Sequence, residues 1–147
     1  MAALPQGGED EVFAPPSHPL VPLAGQGRAL AAVALGGLIG AMARYGVGLL
    51  LPHMAGTFPL GTLLINVLGG FLIGVIIDRV AARPLLRPFA VTGILGGFTT
   101  FSTYAVDTEQ LLAAGRLGTA ASYLVGTLAG ALVATWLGLA LARLVRR

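Results

Sequence analysis

Apolar residues in this chain neither alternate nor recur every third or fourth position. They run continuously in four blocks, at residues 29–51, 60–77, 89–106 and 117–142. A helix rising about 1.5 Å per residue crosses a hydrocarbon layer of about 30 Å in about 20 residues, and in that layer each backbone amide must find its partner within its own helix. The blocks therefore predict four transmembrane helices of an all-α integral membrane protein, the two shorter ones extending slightly past the limits drawn. The connectors hold the breakers: Pro52, Gly56 and Pro59; then Pro84 and Pro88 among Arg79, Arg83 and Arg87; then Gly115. Such short connections make sequential helices antiparallel. Residues 1–27 differ, carrying Pro5, Pro15, Pro16, Pro19, Pro22 and the acidic run Glu9, Asp10, Glu11. They lack both the apolar surface to offset ordering entropy and the plan of a secretory signal, so they are expected to be a disordered, uncleaved tail ahead of a membrane domain at 28–147.

Composition sharpens this picture. Hydrophobic residues make up 56% and charged residues 10% of the chain, and the mean hydropathy is +0.86. The net charge of +3 comes from nine Arg against six acids. A high isoelectric point on so few charges reflects scarcity of acids, not a nucleic-acid surface. Cys is absent and the only two His, His18 and His53, lie far apart, which disfavours disulfides, thiolate chemistry and a transition-metal centre. All six carboxylates fall in the tail or near block ends, so no buried acid is expected inside a span. That argues against a proton-coupled antiporter, which needs one. Each block also holds a small-x-x-x-small pair suited to close helix packing: Gly36/Gly40, Gly70/Gly74, Gly93/Gly97 and Gly126/Gly130.

A few polar residues interrupt the blocks. Arg44 is the one charge within a span, suited either to drawing anions into a vestibule or to capping carbonyls of a neighbouring helix. Asn66 lies mid-span, and its amide can serve an ion or an interhelical hydrogen bond. In the third block the stretch GGFTT (96–100) places adjacent glycines and two threonines where a bilayer demands intact hydrogen bonding, which predicts a helix break with freed carbonyls. The alternative there is a continuous helix whose hydroxyls bond back one turn. Phe101 and Tyr104 then share a face, next to Thr100 and Thr103; the rings either pack or offer positive edges to an anion. Tyr123 and Thr127, four apart, can align hydroxyls.

Three motifs in order, GGLIGAMARY (36–45), GTLLINVLG (61–69) and GGFTTFST (96–103), resemble those of the Fluc fluoride channels, also called CrcB. The similarity covers about residues 28–145. It implies a four-helix protomer with a broken third helix, paired with an antiparallel (dual-topology) partner in a cell membrane, most simply the bacterial cytoplasmic membrane. It implies no enzymatic activity, but passive export of fluoride through two pores. A structural Na⁺ is implied at the dimer interface, on backbone carbonyls of Gly96 and Thr99. Pore residues implied are Phe101 and Tyr104, Asn66, the hydroxyls of Thr100, Ser102 and Thr103, and a track of Tyr123 and Thr127, with Arg44 in the vestibule. Two departures stand out: Tyr104 replaces the usual Phe, and Ala131 occupies the next hydroxyl position of the track. The residues also leave open a dual-topology small-molecule transporter or a non-conducting assembly subunit. With the N-terminus cytoplasmic, Arg28, Arg79, Arg83, Arg87, Arg143, Arg146 and Arg147 lie inside and only Arg116 outside. That bias predicts a single insertion direction, so the membrane partner is either a second copy or an oppositely oriented homologue.

Overall fold

The computed structural model describes residues 26–145; the tail reading and Arg146 and Arg147 lie outside them. Helix α1 spans Gly27–Leu50 and α2 spans Leu60–Val80. A π-helical segment, Pro88–Leu95, opens with Pro88, whose missing N–H costs nothing at a helix start, and runs into the short α3, Gly96–Phe98. After an interruption come α4, Ser102–Ala113, and α5, Leu117–Leu144. Four stretches are long and apolar enough to cross a membrane: α1, α2, Pro88–Ala113 and α5. The four-span reading and the break in the third span both hold. The π-helical form of its first half was not foreseen.

Turn chemistry reverses the chain between α4 and α5. Gly115 adopts φ 70°, its N–H donates to the Leu112 carbonyl, and the Arg116 N–H donates to the Leu111 carbonyl, each at 2.9 Å. This paired closure satisfies two terminal carbonyls and requires a left-handed residue, hence glycine. In the α1–α2 connection Gly56 also takes a positive φ, 78°.

Glycines decide which helices touch. A Cβ on Gly36 would collide with the Phe89 carbonyl, one on Gly40 with the Ile94 carbonyl, and one on Gly97 with the Gly37 carbonyl, so α1 and the π segment run side by side in the same direction. Likewise Gly70 meets the Ala131 carbonyl and Gly74 the Thr135 carbonyl, which makes α2 and α5 a second parallel pair. Backbone-to-backbone approach of this kind replaces the hydrophobic drive that lipid removes. Three of the four glycine pairs act this way. The fourth does not: Gly130 approaches the Val67 side chain, but nothing lies near Gly126.

The short hydrophobic core, Leu111, Ala120 and Tyr123 with Leu63 and Tyr104 packed against it, sits where α4 meets α5. Outside it the helices present leucines and other apolar side chains outward, as for lipid or another subunit. One expectation fails here. Asp107 is buried, at 4% exposure, inside the third crossing stretch. The apolar block ends at Val106 only because Asp107 is the first charge, whereas α4 continues to Ala113 and carries the carboxylate inward.

Candidate functional site: a polar lane beside the broken third helix

The break is built by hydrogen bonds that compete with the helix. Thr99 is extended, at φ −71° and ψ 156°. Its N–H and its hydroxyl both donate to the Leu95 carbonyl at 2.9 Å, closing the last turn before it. Asn66 of α2 then clamps the next peptide: its Nδ2 donates to the Thr100 carbonyl and its Oδ1 accepts the Thr100 N–H, both at 2.9 Å. Thr100 in turn starts α4, its Oγ1 accepting the Thr103 N–H at 3.1 Å and donating to the Thr103 hydroxyl at 3.0 Å. This is a helix N-cap made inside the membrane-spanning stretch. Gly69 permits the close approach, since a Cβ there would strike the Thr99 methyl.

The clamp has a consequence for two carbonyls. In a continuous helix the Gly96 carbonyl would accept the Thr100 N–H and the Thr99 carbonyl the Thr103 N–H. Asn66 takes the first donor and Thr100 Oγ1 the second. Gly96 and Thr99 are thereby released from their helical partners, and Gly96 is exposed. Neutral, oriented carbonyls of this kind are the donor set a hard, weakly charged cation accepts.

Two cavities flank Thr100. One, about 370 Å³, is lined by Asn66, Thr99, Thr100, Phe101, Tyr104 and Thr127, continuing past Ala131 to Thr135. Among the described residues, no ionisable side chain borders it except the phenol of Tyr104. The other, about 300 Å³, is lined by Arg44, His53, Thr62, Thr100 and Thr103 among others. Thr100 lines both, so the cavity beside Arg44 and the one beside the break meet at this residue.

Most of the expected residues converge there, though not all in the roles their sequence positions suggested. Asn66 commits its acceptor and one donor to the Thr100 backbone, leaving a single N–H beside the lane. Tyr104 spends its extra hydroxyl on the Leu124 carbonyl at 2.8 Å, so that proton is not offered to an anion. Thr103 faces the vestibule rather than the lane. Ser102 is exposed, 3.3 Å from the Thr100 hydroxyl, and borders neither cavity. Tyr123 is fully buried, borders neither cavity, and donates its hydroxyl to Asp107 Oδ2 at 3.1 Å. Phe58, edge-on at 5.6 Å, and Tyr104, tilted at 5.5 Å, enclose its ring. On α5 the hydroxyls that line the cavity are those of Thr127 and Thr135, eight residues apart on one face with Ala131 between, whereas Tyr123 is turned to Asp107. Thr127 Oγ1 is the one that stands ready: among the described residues it is the buried side-chain oxygen with no hydrogen-bond partner. Thr135 donates to the Ala131 carbonyl at 2.8 Å.

The sequence also concealed a second cluster. Asp107 accepts the Thr62 hydroxyl at 2.7 Å and the Tyr123 hydroxyl at 3.1 Å on Oδ2, and its Oδ1 lies 3.1 Å from His53 Nε2. These four residues come from α2, α4, α5 and the α1–α2 loop. Only the acid among polar hydroxyl positions four and seven residues along from Thr103 and Thr100 hinted at it.

Four crossing helices, the third interrupted beside a cavity of neutral donors and rings, define a multi-pass membrane protein. A family model described as "CrcB-like protein, Camphor Resistance (CrcB)" matches residues 31–139. The chain belongs to the CrcB family. It is 51% identical over 124 residues, 82% of its length and 80% of the relative's, to the "Fluoride-specific ion channel FluC 1" of Streptomyces coelicolor. It is 45% identical over 119 residues, covering 95% of the relative, to the "Fluoride-specific ion channel FluC" of Agrobacterium fabrum. With "Fluoride-specific ion channel FluC 3" of Streptomyces avermitilis it shares 48% identity over 119 residues, and spans 58% of that longer protein.

Proposed function

We propose that this chain conducts fluoride passively across the membrane, past the break in its third helix. The observation that carries the reading is the lane itself, and above all the buried Thr127 hydroxyl that has no partner within it. Fluoride is small and tightly hydrated. A path for it must return hydrogen bonds for those it loses to water, yet contain no fixed cation deep enough to hold it. Thr127 and the remaining Asn66 N–H supply donors, the Phe101 ring supplies a positive edge, and the one nearby cation, Arg44, stands in the vestibule rather than the lane. Fluoride that entered a cell as neutral HF and ionised there would leave down its own gradient, without coupling to a proton. The names of the relatives support the same substrate.

The partner in this reading is an antiparallel subunit. Phe101 is 80% exposed, and a ring meant to border a pore needs a second wall. The released Gly96 and Thr99 carbonyls would meet their counterparts across such an interface, and together they fit a structural Na⁺, which would supply charge to hold the two breaks together. A second reading of the pair rests on the arginines. Arg28, Arg79, Arg83, Arg87 and Arg143 share one end of the bundle, opposed there among the described residues only by Asp78, 3.8 Å from Arg143, while Arg116 is at the other. A chain with that bias inserts one way, and its partner is then an oppositely inserted homologue instead of a second copy.

Purified protein reconstituted in vesicles loaded with fluoride, with a potassium ionophore to balance charge, tests the reading at a fluoride electrode. Rapid efflux is expected from the wild type, and a fall of about tenfold from Phe101→Ile, which keeps apolar bulk but removes the ring edge. Efflux no faster than from empty vesicles, or proton-driven uptake of an organic cation, would favour a subunit or transporter instead.

A further inference from the structure

A groove separate from the lane opens at the arginine-bearing end of the bundle. Ala32 and Leu35 of α1 line it together with Leu85, Leu86 and Phe89, which lead into the π segment; it holds about 550 Å³, and Arg28 stands at its rim. Leu35, Leu85 and Leu86 are all exposed, so the groove lies open along the side of the bundle. Arg28 begins the first crossing stretch and Leu35 follows seven residues on, about 10 Å deeper along the helix. The guanidinium therefore sits at the level of lipid headgroups while the apolar wall descends into the hydrocarbon layer. Arg83 and Arg87 flank Leu85 and Leu86 in the chain. Among the described residues none of these three arginines has an acidic partner, and Asp78, the one described acid at this end, lies 3.8 Å from Arg143.

We propose that this groove seats one anionic phospholipid, its phosphate paired with Arg28 in the field of Arg83 and Arg87, and an acyl chain laid along Leu35 and Phe89. The two halves of the groove ask for different chemistry, and only an amphiphile answers both. A free phosphate would meet the rim charges and leave the apolar wall bare. A zwitterionic lipid would cover the wall but bring its own cation to arginines that lack acidic partners. A phosphodiester with a net negative charge and hydrocarbon chains satisfies rim and wall together, and each arginine near the surface strengthens the hold on such a headgroup about fivefold. The acidic run Glu9, Asp10, Glu11 is a competing source of negative charge. The wall, however, continues into the hydrocarbon layer, where carboxylates are costly and acyl chains are not. A lipid seated there bridges the start of α1 and the connector that follows α2. The inference does not depend on what the lane conducts.

Native mass spectrometry of the full chain in detergent, titrated with phosphatidylglycerol or with phosphatidylcholine of the same acyl chains, tests this. The wild type is expected to retain phosphatidylglycerol at least about fivefold more tightly. Arg28→Gln should lose about fivefold of that affinity, whereas Arg116→Gln, at the opposite end, should leave it unchanged. Ala32→Phe fills the groove with every arginine in place, and should weaken phosphatidylglycerol as well, which separates a seated lipid from diffuse attraction. Glycerol phosphate, which carries the charge without the chains, should not displace the lipid at equal concentration; displacement would assign the rim to free phosphate and overturn the inference. Equal retention of the two lipids, equal effects of Arg28→Gln and Arg116→Gln, or full retention in Ala32→Phe overturns it too. Retention of phosphatidylglycerol that emerges only in a chain carrying Glu9→Gln, Asp10→Asn and Glu11→Gln would put the acidic run on the arginines instead of a lipid, and would likewise overturn it.

Discussion

Asn66→Asp is expected to reduce fluoride throughput roughly two hundredfold while the protein stays folded and monodisperse. The size follows from placing a unit negative charge about 5 Å from the anion's path at an effective dielectric of about 20, which costs about 3 kcal/mol. Geometry adds to it. Aspartate still accepts the Thr100 N–H, as Asn66 Oδ1 does at 2.9 Å, but it turns a carboxylate oxygen toward the Thr100 carbonyl where Nδ2 now donates. Asn66→Ala separates the contributions, since it removes the clamp without adding charge. A smaller loss in Asn66→Ala assigns the remainder to electrostatics in the lane; an equal loss assigns the whole effect to the clamp. Electrode-measured efflux on matched amounts of the reconstituted variants is the readout.

The largest effect on stability is expected from Asp107→Ala. The carboxylate accepts the hydroxyls of Thr62 and Tyr123, and both of those residues are buried. Removing it leaves two donors with no water to turn to, at about 1–3 kcal/mol for each buried unsatisfied group. For a chain of this size a loss of about 3 kcal/mol lowers the melting temperature by about 10 °C. Asp107→Asn retains one acceptor oxygen for the two hydroxyls and should fall between alanine and the wild type. Thermal unfolding in detergent, followed by the loss of monodisperse protein, would show the order. An Asp107→Ala protein as stable as the wild type would mean that this cluster is not a structural tie between α2, α4 and α5.

Both predictions concern residues whose roles the sequence conveyed unequally. Continuous apolar runs gave the four crossings, because a bilayer leaves a helix no alternative partner for its amides. The adjacent glycines and threonines at 96–100 located the break, since those residues resist helix where lipid would otherwise enforce it. What the chain did not disclose depends on distant partners. Asp107 read as a boundary marker because hydropathy stops at the first charge, and its Thr62, Tyr123 and His53 partners are separated from it by 45, 16 and 54 positions. Tyr123 and Thr127 share a helical face by spacing, but only packing shows that Phe58 and Tyr104 shut Tyr123 in while Thr127 stays on the lane. The parallel pairing of α1 with the π segment, and of α2 with α5, likewise comes from which glycine meets which carbonyl.

The same distinction governs the glycine pairs. Gly36/Gly40 and Gly70/Gly74 sit where a neighbouring backbone arrives, whereas Gly126 faces open space with the same spacing. Spacing alone identifies where close approach is permitted, and the partner helix decides whether it happens.

The account rests on a lane that passes fluoride and excludes the larger halide. Reversal potentials in planar bilayers, with fluoride on one side and chloride on the other, test that claim directly. The potential should settle near the value set by the fluoride gradient and stay there when chloride is varied. A potential that tracks chloride, or that sits at zero with both ions carrying current, would contradict the selective path beside the break.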